Sequence, residues 1–126
     1  MNDQSAAIEI DVNTQYLDNQ SDPDDNRYVF AYTIKIRNKG SLSAQLLRRH
    51  WIITDANGET LEVRGDGVVG EQPWIAPGDE YEYTSGTVLN EFMGCMEGSY
   101  EMVDEEGQSF QTPIPVFTLV QPEKLH

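Results

Sequence analysis

The sequence is poor in the residues that make metal centres, disulfides and basic grooves. It has one cysteine, two histidines and eight Lys or Arg against 22 Asp or Glu. A lone thiol, Cys95, closes no internal disulfide, which agrees with a reducing compartment. His50, Cys95 and His126 are the only soft metal ligands, and no two stand at ligand spacing, so neither a transition metal nor a cofactor is expected. Asp22, Asp24 and Asp25 lack the EF-hand spacing and read as a solvated acidic turn. No run of 18 apolar residues occurs, so no helix crosses a membrane. The start, MNDQSAAIEIDV, has no basic leader before an apolar block, so no signal peptide and a cytoplasmic location are expected. The formal net charge of −14 repels nucleic acid and anionic lipid at long range.

The charge is unevenly spread. Residues 1–26 are acidic without a single Lys or Arg. Residues 27–54 carry Arg27, Lys35, Arg37, Lys39, Arg48 and Arg49 and no acid, and the remainder is acidic again apart from Arg64 and Lys124. This basic stretch either forms a local anion-binding patch or balances acidic neighbours across a sheet, and the alternation of Lys35 and Arg37 with apolar residues favours the second.

What the sequence does have is a period of two. Ile8, Ile10 and Val12 share one face, and Tyr28, Phe30, Tyr32, Ile34 and Ile36 form a longer stripe opposite Thr33, Lys35 and Arg37. Leu47, Trp51 and Ile53 alternate with Arg48, His50 and Thr54, although Arg49 interrupts the apolar set. Leu61 with Val63, Tyr81 with Tyr83, and Tyr100 with Met102 repeat the pattern. The last run, SFQTPIPVFTLV, contains two prolines and should be an edge strand or bulged. SDPDDN, NKGS, DANG, APGD and DEEG mark turns. The length of 126 residues suits one domain, residues 1–126. About seven short strands predict an all-β, immunoglobulin-like or fibronectin type III-like antiparallel sandwich. No stretch of 12 residues carries a good helical stripe. TVLNEFMGCMEG comes nearest, but Gly94 and Gly98 limit it to about a turn, and segment 86–98 should bridge the two sheets.

Gly65, Gly67 and Gly70 in RGDGVVG match the GxGxxG spacing of dinucleotide sites. That chemistry needs a strand before the glycines and a helix after them, whose N-terminus receives the pyrophosphate. LEVR supplies the strand, but Pro73 and Pro77 with Gly70 and Gly78 deny the helix. Two readings remain. In one, Arg64, Gly65, Gly67 and Gly70 form an anion-binding loop for pyrophosphate or a dinucleoside polyphosphate, opposed by Asp66 and Glu71. In the other, the glycines let the chain bend sharply.

VRGDGVVGEQP, PGDEYEYTSG, GCMEGSY and IPVFTLV together resemble the bacterial ApaG family, from about Ile8 to Val120. The resemblance implies a fibronectin type III-like sandwich, with Gly65, Gly67 and Gly70 as the family's glycine motif. Similar domains occur in eukaryotic F-box proteins and a DNA polymerase delta-interacting protein, where the implied role is protein contact. In enteric bacteria the family is associated with cobalt resistance and magnesium efflux, and its gene lies near that of a diadenosine tetraphosphate hydrolase. No catalytic residue is carried over.

Cys95 or Ser85 with His50 is the only nucleophile–base option, and Cys95 between Met93 and Met96 reads as a buried small apolar residue. Trp74, between two prolines, either anchors its loop or stands exposed as a contact residue, and Phe92 poses the same question. The expectation is therefore a non-enzymatic interaction module. It presents loop 64–78 and segment 86–98 to an unidentified protein partner or a second copy, a homodimer, with any role in metal handling exerted through that partner.

Overall fold

The computed structural model describes residues 7–122. Among these residues, eight antiparallel strands form two sheets. Strands β1 (Ile8–Tyr16), β2 (Tyr28–Asn38) and β6 (Glu80–Leu89) make a three-stranded sheet in the order β1-β2-β6. The second sheet runs β4-β3-β7-β8, from β4 (Thr60–Asp66), β3 (Ala44–Asp55), β7 (Met93–Asp104) and β8 (Ser109–Val120). A short β5 (Trp74–Ile75) adds to it by pairing with the start of β3. The seven strands expected from periodicity are all present, and β5 is the addition. No helix among the described residues is long and apolar enough to cross a membrane.

The stripe of β2 behaves as its period demands: Tyr28, Phe30, Tyr32, Ile34 and Ile36 are all buried. They meet Leu46, Trp51, Met96, Tyr100, Met102 and Leu119 from the other sheet. Trp51 sits at the centre, edge-on to Tyr32 at 5.5 Å, Phe117 at 5.8 Å and Tyr100 at 6.5 Å, which is favourable aromatic geometry. Segment 86–98 does pass between sheets, but as the end of β6, a turn and the start of β7, with no helical turn.

In β3 the apolar set is not the expected one. Leu46 is fully buried, whereas Leu47 is only partly so. A β-bulge between Leu46 and Arg48 puts an extra residue into the strand and switches the inward parity from even to odd. Ala44 and Leu46 therefore point inward before the bulge, Trp51 and Ile53 after it. Strand β8 is an edge and is also bulged, with Pro115 and Val116 falling where the register jumps.

Candidate functional site

The β3 bulge positions the glycine segment. The carbonyl of Leu47, turned out of the ladder, accepts the Gly67 amide at 2.8 Å and the Gln72 Nε2 at 2.9 Å. Beyond Gly67 the chain makes a tight hairpin. Val68 N–H donates to the Glu71 carbonyl at 2.8 Å and Glu71 N–H to the Val68 carbonyl at 2.9 Å. The two tip residues, Val69 and Gly70, have φ of 43° and 82°. Positive φ at both tip positions is what a type I′ turn needs, and it is costly for a β-branched valine. Gly67 has φ 63°, and a Cβ there would collide with the Glu71 carbonyl. No helix follows Gly70. The amides of Gly67, Val68 and Glu71 are already donating within the fold.

Arg64, expected beside an anion, lies on the outer face of the five-stranded sheet. There its Nη2 donates to Glu62 at 3.2 Å. His50 Nε2 stands 2.8 Å from the same Glu62 oxygen, and these two contacts, the histidine's first, hold the Glu62 carboxyl below its usual range. Arg48 joins the face through Glu101 at 2.7 Å and Asp66 at 3.6 Å. The groove between these side chains, with Ser99 and Gln111 along its far side, encloses about 340 Å³.

The other side of the glycine segment faces inward. Gly65 pairs with Arg49, and the guanidinium lies across the glycine so closely that a Cβ there would be 2.7 Å from Nη2. Arg49 Nη1 donates to the carbonyls of Asp66 at 3.0 Å and Gly67 at 2.9 Å. Arg49 thus clamps the loop from beneath, and Gly65 is the space that admits it. Above the clamp is a cavity of about 280 Å³ between the sheets, walled by Tyr32, Tyr83, Ser85, Trp51 and the tip Val69–Gly70. Burial pushes up the phenol pKa values of Tyr32 and Tyr83, while the positive charge of Arg49 opposes the rise in both. Tyr83 and Tyr100 join the sheets through a buried hydroxyl–hydroxyl bond of 2.6 Å.

The remaining expected residues fall apart from this cavity. Trp74 is 55 % exposed, so it does not anchor its loop to the core. Phe92 is partly buried and packs against the core. Cys95, expected to be buried, is half-buried and pairs with Thr54, four positions from His50, or about 13 Å along the strand. His50 faces outward, whereas Ser85 lines the inter-sheet cavity, so the structure does not bring them together. No group of three His, Cys, Asp or Glu side chains suited to a metal occurs among the described residues.

A family model described as the ApaG domain matches residues 18–104. The chain belongs to the ApaG family. It is 56 % identical to Protein ApaG of Pseudomonas paraeruginosa over 126 residues, all of both chains. Two solved structures share the family's fold. One is an X-ray structure of a Northeast Structural Genomics Consortium target, SoR45, with a TM-score of 0.93 and 51 % identity, covering 98 % of this chain and 94 % of that one. The other is the putative ApaA protein from Bordetella pertussis, with a TM-score of 0.90 and 49 % identity, covering 93 % and 95 %. The family name carries no enzymatic activity. Sequence reasoning gave no separate place to Arg49, which clamps the glycine hairpin, although its place in an otherwise apolar parity was the visible signal.

Proposed function

We propose that the protein is a non-catalytic interaction module that presents segment 64–78 to a protein partner, through which it influences cobalt resistance and magnesium efflux. The observation that carries this reading is the exposed Trp74. A large indole 55 % exposed on a short edge strand is the residue type that dominates binding energy at interfaces. Val69, also 55 % exposed, stands at the strained tip of the same connection. Strain held at an exposed apolar tip supports a recognition role. Because β4 and β6 are sheet edges, a second copy of the chain is an admissible partner.

The alternative, a pyrophosphate or dinucleoside polyphosphate held by Arg64 and the amides of Gly65–Gly70, has less support. The Gly67 and Val68 amides donate to carbonyls and Arg64 to Glu62. Affinity capture from native lysate with the wild-type chain and with Trp74→Ala tests the main reading. One specific partner should vanish in the variant while the variant's melting temperature is unchanged. An identical set of captured proteins would remove Trp74 and the surface it marks.

A further inference from the structure

Arg48 and Arg49 are adjacent in the chain and differ in what they meet. Arg48 pairs with two carboxylates. Arg49, half-buried between the sheets, has no carboxylate within 4.0 Å among the described residues, in a chain of net charge −14. Its two hydrogen bonds both leave from Nη1. A guanidinium offers five N–H donors, so the Nε and Nη2 edge is unused, and that edge receives an oxyanion through two parallel bonds. Withdrawing a cation from water without a counter-charge is costly, and two neutral carbonyls compensate only part of that cost.

The cavity that Arg49 borders fits a small organic anion. Its volume of about 280 Å³ lies just below the usual range for small-molecule sites, about 300–1,000 Å³, which limits the occupant to a small one. Hydroxyl groups from Tyr32 and Ser85 stand side by side on one wall, and Trp51 supplies an apolar surface on another. One guanidinium supplies one positive charge. Arg49 is the one cation in the lining, and the Asp66 carboxylate turns out toward Arg48, so a second negative charge on the ligand would find no partner.

We propose that the inter-sheet cavity beneath the glycine hairpin binds the carboxylate of a small monoacid. The Nε–Nη2 fork of Arg49 grips the carboxylate, the Ser85 and Tyr32 hydroxyls assist, and Trp51 packs on its apolar body. The site is under the glycine loop and uses none of its amides, and it stands independently of the interaction surface around Trp74. The glycines then have a defined purpose: Gly65 makes room for the guanidinium, and Gly67 lets the hairpin close over it.

The test is titration of the full ¹⁵N-labelled chain with sodium benzoate, sodium propionate and sodium pyrophosphate at matched ionic strength. Benzoate and propionate should give saturable shifts of the Arg49 Nε–H and the amides of Ser85, Val69 and Gly70, with a Kd of roughly millimolar. Arg49→Lys keeps the charge and loses the fork, and should weaken benzoate binding at least about tenfold. Should Arg49→Lys fail to give a dispersed spectrum, Ser85→Ala decides, with a weakening of about three- to tenfold, one hydrogen bond. Arg64→Gln, on the outer face, should bind benzoate as wild type does. Three outcomes overturn the proposal: no saturable shift with either carboxylate at tens of millimolar, shifts with pyrophosphate alone, or binding that survives both Arg49→Lys and Ser85→Ala.

Discussion

The two sheets of this sandwich solve the same packing problem with different tolerance. In the three-stranded sheet the register runs without interruption, from Ile8↔Asn38 to Tyr16↔Phe30 on one side of β2 and from Tyr28↔Leu89 to Arg37↔Glu80 on the other. Its cations meet acids across the strands: Arg37 reaches Asp11 at 2.7 Å and Glu80 at 3.3 Å, and Lys35 lies 3.6 Å from Glu80. The five-stranded sheet is broken twice, at Leu46/Arg48 on β3 and opposite Met96/Gly98 on β8. Each break re-aims side chains, and the first turns Arg49 inward beneath the glycine hairpin. Regular pairing yields a charge-matched face. Irregular pairing yields the cavity, the clamp and the exposed tip. Bulges next to sites recur in β proteins for this geometric reason.

The largest expected effect contrasts one substitution in the two sheets. Gly98 of β7 lies opposite Trp51 beside the β8 irregularity, and a Cβ there would overlap the His50 carbonyl oxygen. Backbone, not a flexible side chain, would have to move. Gly98→Ala should cost about 3 kcal/mol in urea denaturation, at the upper end for overpacking. Gly86 of β6, in the regular sheet, would bring its Cβ only to 3.2 Å from the Phe30 carbonyl. Gly86→Ala should change stability by less than about 1 kcal/mol, since a modest contact offsets the entropy gain. Equal losses at the two positions would refute the claim that the five-stranded sheet is the tightly constrained one.

The same contrast explains what could be read in the sequence. β1, β2 and β6 were legible because an unbroken period of two marks the buried face, and Lys35 and Arg37 alternating with it marked the ion-paired one. Strand β3 was legible in extent and misread in part, because a bulge changes parity without any residue that announces it. Leu47 therefore took the core position that belongs to Leu46. Arg49 looked like an interruption because it is an inward residue in a polar pocket. Strand β5 is two residues long, below what periodicity detects. For the glycine segment, the prolines excluded a following helix correctly. The Arg49 clamp was invisible, since it depends on a pairing 16 residues away.

A middle-sized effect belongs to the bond that joins the sheets. Tyr83 on β6 and Tyr100 on β7 share a buried hydroxyl contact of 2.6 Å. Tyr83→Phe strands the Tyr100 hydroxyl without a partner and should cost about 1–2 kcal/mol. Tyr100→Phe should cost a similar amount. The double substitution should cost less than the sum, because two phenyl rings leave no polar group unsatisfied. Strict additivity in that cycle would show that the hydroxyl pair does not couple the regular sheet to the irregular one.

The smallest effect is a titration at the rim of the cavity region. The Tyr81 hydroxyl donates to Glu71 Oε1 at 2.5 Å, tying β6 to the glycine hairpin. Desolvation, then the hydrogen bond to Glu71 and its negative charge, push the Tyr81 pKa up to about 12. The raised value means the folded protein favours the neutral phenol. The contact's stabilisation is therefore complete below the unfolded value of about 10 and disappears as pH rises through about 12. The ring is partly buried, but its hydroxyl meets Glu71 at the exposed surface, so screening keeps the energetic consequence small. Ultraviolet difference titration of wild type against Tyr81→Phe isolates this group. In a Glu71→Gln background its midpoint should fall toward 10, with the desolvation part of the rise retained. A midpoint that does not move on losing the carboxylate would mean that Tyr81 senses burial alone, and that the hairpin and the regular sheet are not connected through this bond.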